Sequence, residues 1–184
     1  MLFDPAQVYQ PEADTFLLLK AAQAEVRAGD RVLEIGTGSG TVAAGLPPAH
    51  EIIATDINPH AVACARQKGV SVVRTDLFCG IQGTFDLILF NPPYLPTEPE
   101  ERIDDWLEYA LDGGTSGRVV IERFLAGAGP LLAPEGRILL LISSLTGLDP
   151  VMRLISRYGF AAGIMLDEVV EDEMLYILRI TRAV

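Results

Sequence analysis

The segment Asn91-Pro92-Pro93-Tyr94 carries the most chemistry per residue in this chain. Two successive prolines fix φ and remove two backbone donors, so the backbone offers carbonyls in a stiff geometry. The Asn91 carboxamide oxygen and the Pro92 carbonyl can together accept both hydrogens of a planar NH2 group, with Tyr94 packed over it as a lid. An amide or exocyclic amine nitrogen is barely nucleophilic, because its lone pair is delocalised. Accepting both N–H bonds aligns that nitrogen with an electrophilic carbon and stabilises positive charge as it attacks.

A second constellation lies upstream. Glu34-Ile35-Gly36-Thr37-Gly38-Ser39-Gly40 places glycines where an apolar run ends, and a backbone without Cβ atoms can approach a ligand closely there. A dinucleotide fingerprint would need a third-repeat glycine at position 41, which is Thr41. Asp56 follows about 20 residues after Gly36, the distance at which an acid meets the hydroxyls of a ribose. Asp76, in Thr75-Asp76-Leu77, ends the next apolar run and could accept from an adenine amino group. Three acids and no phosphate-binding lysine suit a nucleoside that carries positive charge, such as a sulfonium. Attack on a sulfonium methyl needs no prior general base, and neither His50, in a turn, nor His60, at a helix start, is placed to be one.

These residues need a sheet edge to bring them together. Asp14 and Thr15 are expected to cap a helix through Phe16–Arg27, ending near Ala28-Gly29-Asp30. Strands are expected at Arg31–Ile35, Glu51–Thr55, Val70–Val73, Phe85–Phe90 and Arg137–Ile142. Between them fall a short helix stopped by Pro47-Pro48, a helix from Asn58-Pro59 to Gly69, and one centred on Val119–Gly129. A long polar loop is expected from Leu95 to Gly117, and a further helix from Asp149-Pro150 to Gly159. The pair Ala161–Val170 and Met174–Ile180 reads as a hairpin. Strands alternating with helices predict parallel pairing with right-handed crossovers. The expected fold is α/β: a single Rossmann-like open sheet, mostly parallel, of seven strands with a C-terminal antiparallel hairpin. One domain over residues 1–184 is expected, with residues 1–28 covering substrate or cofactor. Ligands then bind beyond the strands' carboxyl ends, where strand order reverses.

Composition narrows the class. Of 184 residues, 49% are hydrophobic, which excludes a disordered chain. Lys and Arg number 14 against 25 Asp and Glu, for a formal charge of −11, which argues against binding along a phosphate backbone or an anionic membrane. Cys64 and Cys79 make no disulfide framework and lack the spacing of a metal site. Reduced thiols, an acidic N-terminus unlike a secretory signal and no apolar run of about 20 residues predict a cytoplasmic protein without a membrane span.

Glu34 to Gly40, Asp56, Asp76-Leu77 and Asn91-Pro92-Pro93-Tyr94 together resemble the class I S-adenosylmethionine-dependent methyltransferases. Tyr9-Gln10-Pro11, Asp14 to Leu19, Thr55 to Pro59 and Asp112-Gly113-Gly114 with Gly117-Arg118 narrow the likeness to the HemK-like release-factor glutamine methyltransferases of the short archaeal and eukaryotic form. The resemblance implies N5-methylation of the glutamine in the Gly-Gly-Gln loop of a peptide-chain release factor, with S-adenosylmethionine as cofactor. Carried over by motif, Thr15, Glu34, Gly36, Gly38, Gly40, Asp56, Ile57, Asp76, Leu77 and Asn91 contact the cofactor, and Asn91, Pro92 and Tyr94 hold the substrate amide. It also implies a small zinc-binding activator subunit at the edge strand Val70–Val73. Ala13 stands where the family usually has Glu, with Glu12 one residue earlier. Without a preceding helical domain, substrate grip is expected from the N-terminal segment, from a partner, or from the Leu95–Gly117 loop with its acids Glu98, Glu100, Glu101, Asp104, Asp105, Glu108 and Asp112. The same tetrapeptide also occurs in adenine-N6 DNA methyltransferases, so an adenine-N6 DNA or RNA methyltransferase is an alternative. Further alternatives are a protein lysine methyltransferase and a non-catalytic cofactor-binding subunit.

Overall fold

The computed structural model describes residues 3–47, 51–98, 100 and 105–183; Pro48, His50, Glu101 and Asp104 lie outside them. Among the described residues five α-helices, α1 (Ala13–Glu25), α2 (Thr41–Gly45), α3 (Pro59–Gln67), α4 (Val119–Ala128) and α5 (Leu148–Arg157), accompany seven strands. These are β1 (Arg31–Ile35), β2 (Glu51–Asp56), β3 (Val72–Arg74), β4 (Phe85–Phe90), β5 (Leu132–Ser143), β6 (Phe160–Val170) and β7 (Glu173–Arg182). They form one sheet in the order β3-β2-β1-β4-β5-β7-β6, with β7 antiparallel to its two neighbours and the other pairs parallel. Strand order reverses between β1 and β4, so the carboxyl ends of those strands flank the place where a ligand crevice is expected.

Continuous burial along β1, β4 and β5 follows from covering both faces. Ile35, Phe90 and Ile138 point to the side where Ile121, Phe124 and Leu125 of α4 and Val151 and Ile155 of α5 pack. Val32, Leu87 and Leu139 point to the other side, under Leu17, Leu18, Ala21 and Ala22 of α1.

Several elements differ from the sequence-based expectation, four of them for a clear local reason. The N-cap of α1 is Glu12, whose N–H donates to Thr15 Oγ1 at 3.4 Å, while Asp14 is drawn inward. The third strand starts at Val72 instead of Val70, because Gly69 adopts φ +80° and the Val70 N–H turns back to the Ala65 carbonyl. The fifth strand starts at Leu132, five residues early, with an irregular register between Phe85 and Leu87 that absorbs Pro134 and Gly136. The segment from Leu95 to Gly117 is more ordered than a polar loop: Leu95 bridges to Asp112, and Glu108–Ala110 form a 3-10 turn.

At the amino end of the sheet Arg137 of β5 is 1% exposed and ties α1, β4 and, through Glu25, β7 together. Its guanidinium reaches Asp30 Oδ2 at 2.5 Å, Glu25 Oε1 at 2.9 Å and the carbonyls of Asp86 and Glu25 at 2.8 and 2.6 Å. Arg179 of β7 joins at Glu25 Oε1, 3.0 Å away. Burial alone would raise the Glu25 carboxyl, but hydrogen bonds from Arg179 and Arg137 outweigh it and hold it below the usual range. Removing the central cation of such a group takes a buried counter-charge from both acids, at about 3–5 kcal/mol. Arg137→Met is therefore expected to lower the unfolding free energy by about that amount in urea titrations; a loss under about 1 kcal/mol would contradict this account.

Candidate active site

The glycine loop is tied down by the acids that surround it. Asp56, at the end of β2, accepts from the Gly38 N–H through Oδ2 and from the Asn58 N–H through Oδ1, both at 2.8 Å. The Thr37 N–H donates to the Thr55 carbonyl at 2.9 Å. Glu34 Oε2 accepts from Thr37 Oγ1 at 2.7 Å and from the Ala43 N–H at 3.0 Å, which pins the loop to α2. Gly36 and Gly38 adopt φ of +64° and +54° along the cavity. Gly40 has another reason to be glycine: a Cβ there would stand 2.9 Å from the Ala65 Cα, where α3 passes.

Burial dominates the electrostatics of these acids. Glu34 is pushed up to about 8 by desolvation, against the hydrogen bonds from Thr37 and Ala43. Asp56 is also raised by burial, against three backbone N–H donors. Both carboxyls thus sit where an added cationic or hydroxyl partner is favoured over solvent-free isolation.

The corner after β4 is built around a single carboxylate. Asn91 Nδ2 donates to Asp14 Oδ2 at 2.9 Å, and the Tyr9 hydroxyl donates to the same oxygen at 3.1 Å. Only the NH2 end of a carboxamide can donate to a carboxylate, so this bond sets which way the Asn91 amide points. Its other end, Oδ1, is buried and has no hydrogen-bond partner among the described residues. The phenols of Tyr9 and Tyr94 are raised above their ordinary value by burial and by the Asp14 charge, so both stay protonated. Tyr94 is seated from below by Gly117, where a Cβ would come within 2.5 Å of the Tyr94 carbonyl oxygen. The Gly113 N–H bonds the Leu95 carbonyl at 2.9 Å, which fixes that turn against the corner.

These parts line a cavity of about 680 Å³. Of the residues singled out in the sequence, Thr15, Glu34, Gly36, Gly38, Asp56, Ile57, Asp76, Leu77, Asn91, Pro92 and Tyr94 border it, and Gly40 does not. Asp76 pairs with Arg123 at 2.6 Å, and Leu77 holds φ +48° beside it. A cover crosses one side: the Asn58 side chain donates to the Gln7 carbonyl at 2.6 Å, and Gln7 Oε1 accepts from the Trp106 N–H at 2.9 Å. His60 also serves this cover, its Nδ1 accepting from the Asp4 N–H at 3.0 Å. Sequence reasoning missed Asp14 and Tyr9 as site residues and missed Trp106 altogether. An acid at a helix start reads as a cap, and nothing local points it toward a residue 77 positions away.

Comparison with known proteins follows the same lines. The methyltransferase small domain family matches residues 10–104. A Methanocaldococcus jannaschii protein, provisionally named a protein N5-glutamine methyltransferase, is 39% identical over 96% of this chain and 92% of its own length. The human methyltransferase HEMK2 is 34% identical over 97% of this chain and 91% of its own. Among solved structures, the E. cuniculi Mtq2–Trm112 complex, responsible for methylating the translation termination factor eRF1, aligns with a TM-score of 0.80. That alignment has 29% identity and covers 96% of this chain and 99% of the other. On the matched span and on relatives similar over nearly their whole length, this chain belongs to the methyltransferase small domain family.

Proposed function

We propose that this protein transfers the methyl group of S-adenosylmethionine to the side-chain amide nitrogen of a glutamine in a peptide-chain release factor. The observation that carries the reading is the carboxamide of Asn91, a residue that borders the cavity, whose Oδ1 is a buried hydrogen-bond acceptor with no partner among the described residues. Leaving such a group unpaired costs about 1–3 kcal/mol, so an arriving N–H donor recovers it. The relatives' names supply the substrate class: N5-glutamine methyl transfer in one, methylation of eRF1 by a complex in another.

The residues present fit the cofactor. The cavity is bordered by Glu12, Asp14, Glu34, Asp56 and Asp76, with Arg123 the one cation among its described lining residues. That acid excess suits a ligand with sulfonium and ammonium charges, and Asp56 stands at the end of β2 where two ribose hydroxyls can be met. When bound, S-adenosylmethionine supplies an electrophilic methyl on sulfur.

The chain's own contribution is positioning. Asn91 Oδ1 and the Pro92 carbonyl accept the two N–H bonds of the glutamine amide and so aim its nitrogen. Asp14 is a positioning residue that keeps the Asn91 amide from turning over. Tyr94, a neutral phenol, covers the planar group and excludes water. Positive charge grows on the nitrogen as the bond to carbon forms, and both acceptors oppose it; the proton leaves afterwards. Thr15, Gly36, Gly38, Ile57 and Leu77 complete the cofactor's surroundings.

Single-domain organisation and a cytoplasmic location accompany this reading, and no described helix is long and apolar enough to cross a membrane. A small activator protein is placed along β3, the edge strand whose Val73 is 45% exposed, since an uncovered apolar edge invites pairing.

Two outcomes test the assignment, with labelled cofactor, a release factor containing Gly-Gly-Gln, and mass spectrometry to locate the methyl. Asn91→Ala is expected to lower kcat by about 100-fold or more while S-adenosylhomocysteine binds within about threefold of wild type; turnover at the wild-type rate would sink the catalytic role. Asp14→Ala is expected to lower kcat by about 10–100-fold, with Asp14→Asn, which still offers an oxygen, losing less. Equal loss in both Asp14 variants would argue for a role other than orienting the amide.

A further inference from the structure

Pro5 and Ala6 border the large cavity, whereas Gln7 beside them does not. Residues 4–7 are a small unit closed by their own bonds. The Gln7 N–H donates to the Asp4 carbonyl at 3.1 Å, the Val8 N–H to the Pro5 carbonyl at 3.2 Å, and the Ala6 N–H to Asp4 Oδ1 at 3.0 Å. Among the described residues, three hydrogen bonds tie this unit to distant elements, and two of them meet at Gln7. Asn58 Nδ2 donates to the Gln7 carbonyl at 2.6 Å, the Trp106 N–H to Gln7 Oε1 at 2.9 Å, and the Asp4 N–H to His60 Nδ1 at 3.0 Å. Asn58 Nδ2 also reaches the Trp106 carbonyl at 3.4 Å, so Gln7 closes a ring between the start of α3 and the Leu95–Gly117 segment. The next residues are held in another way: Val8 is 2% exposed, and the Tyr9 hydroxyl donates to Asp14. Polar bonds hold the chain before Val8, and burial holds it from Val8 on.

We propose that residues 4–7 form a hinged flap whose latch is Gln7, and that its opening admits and releases the nucleoside. Val8 is the hinge, extended at φ −121° and ψ 128° with its side chain anchored in the core. Opening exchanges three side-chain-mediated bonds for bonds to water and breaks no strand ladder, so it is among the least costly openings of the fold. Tyr9, behind the hinge, stays on Asp14, and the Asn91 corner keeps its geometry. The latch joins protein groups to one another and lies off the cavity wall, so it governs the barrier to exchange and not the contacts of the bound molecule. The inference rests on the S-adenosylmethionine reading above.

Trp106 is the single tryptophan of the chain, so its fluorescence reports on the latch in stopped-flow measurements with S-adenosylhomocysteine. Gln7→Ala removes Oε1 and keeps the backbone carbonyl. It is expected to speed exit about three- to tenfold, the size of one neutral hydrogen bond. Entry is expected to quicken as well, so that the calorimetric Kd moves by less than about threefold. Gln7→Glu, which still offers an oxygen to the Trp106 N–H, is expected to stay closer to wild type in both rates. Without ligand, both variants are expected to melt within about 2–4 °C of wild type. Wild-type exit rates in Gln7→Ala would overturn the latch. So would faster exit with unchanged entry, which marks a ligand contact, or a larger fall in melting temperature, which marks a structural residue. Each of these leaves the cofactor reading standing, because the wild-type chain still binds; its failure to bind S-adenosylhomocysteine would overturn both.

Discussion

The hydrogen bond from Asn91 Nδ2 to Asp14 Oδ2 is the constraint on which the site depends. A free carboxamide can present either end to a cavity, and the two ends have opposite hydrogen-bonding character. A carboxylate at one end removes that freedom, because it accepts and cannot donate. The direction of the oxygen is thereby fixed by the fold itself. Asp14 in turn is fixed by its place in the first turn of α1, by its own acceptance of the Thr15 N–H at 2.5 Å, and by the Tyr9 hydroxyl. Pre-orientation of this kind is what turns a weak nucleophile's encounter with an electrophile into a productive one.

The sheet provides the remaining geometry. Placing β1 between β2 and β4 sets the glycine loop beside both Asp56 and Asn91, although these are far apart in the chain. Most links that hold the loop run to buried acids, Gly38 to Asp56 and Thr37 and Ala43 to Glu34, beside the Thr37 N–H bond to the Thr55 carbonyl. Such acids tolerate burial because their lone pairs are occupied, and their raised affinity for protons marks the remaining desolvation. The loop is rigid for the same reason that it is hospitable to charge. At the other end of the sheet, Arg137 performs the complementary task, closing α1, β4, β5 and β7 around a buried ion cluster far from the chemistry.

Much of this was legible in the sequence wherever short-range pattern and long-range structure agree. The strands β1 and β4 are readable over their exact span because they are mainly apolar runs that stop at Gly36 and Asn91. The short edge strand was misplaced because Gly69 sends the chain back toward α3 before pairing begins, a turn that apolar Val70 disguises. Pro134 and Gly136 hid the start of β5, since both residues ordinarily end strands and here sit in a register shift. The Leu95–Gly117 segment has no period to read; its order comes from pairings across the segment, Leu95 with Leu111 and Gly113 with Leu95. Gly40 was read as a ligand contact, whereas its bareness answers to Ala65 of α3. Asp14 and Trp106 share one property: each acts through a distant partner that no local pattern encodes.

The cover over the cavity differs in kind from the floor. The floor is a strand ladder packed on two layers of helices, and its opening would require breaking many backbone bonds at once. Among the described residues the cover is joined by four long-range hydrogen bonds, Asn58 to Gln7, Asn58 to Trp106, Trp106 to Gln7 and Asp4 to His60, with one 3-10 turn at Pro5–Gln7. Segments with few backbone bonds and polar attachments open at the lowest free energy in a fold. Asn58 links the two regimes: its Oδ1 caps α3 by accepting from His60 N at 2.8 Å, and its Nδ2 holds Gln7. Breaking the Gln7 bond therefore leaves the helix cap and Asp56 in place. The outer layer can part without disturbing the bonds that hold the loop, the acids and the Asn91 corner.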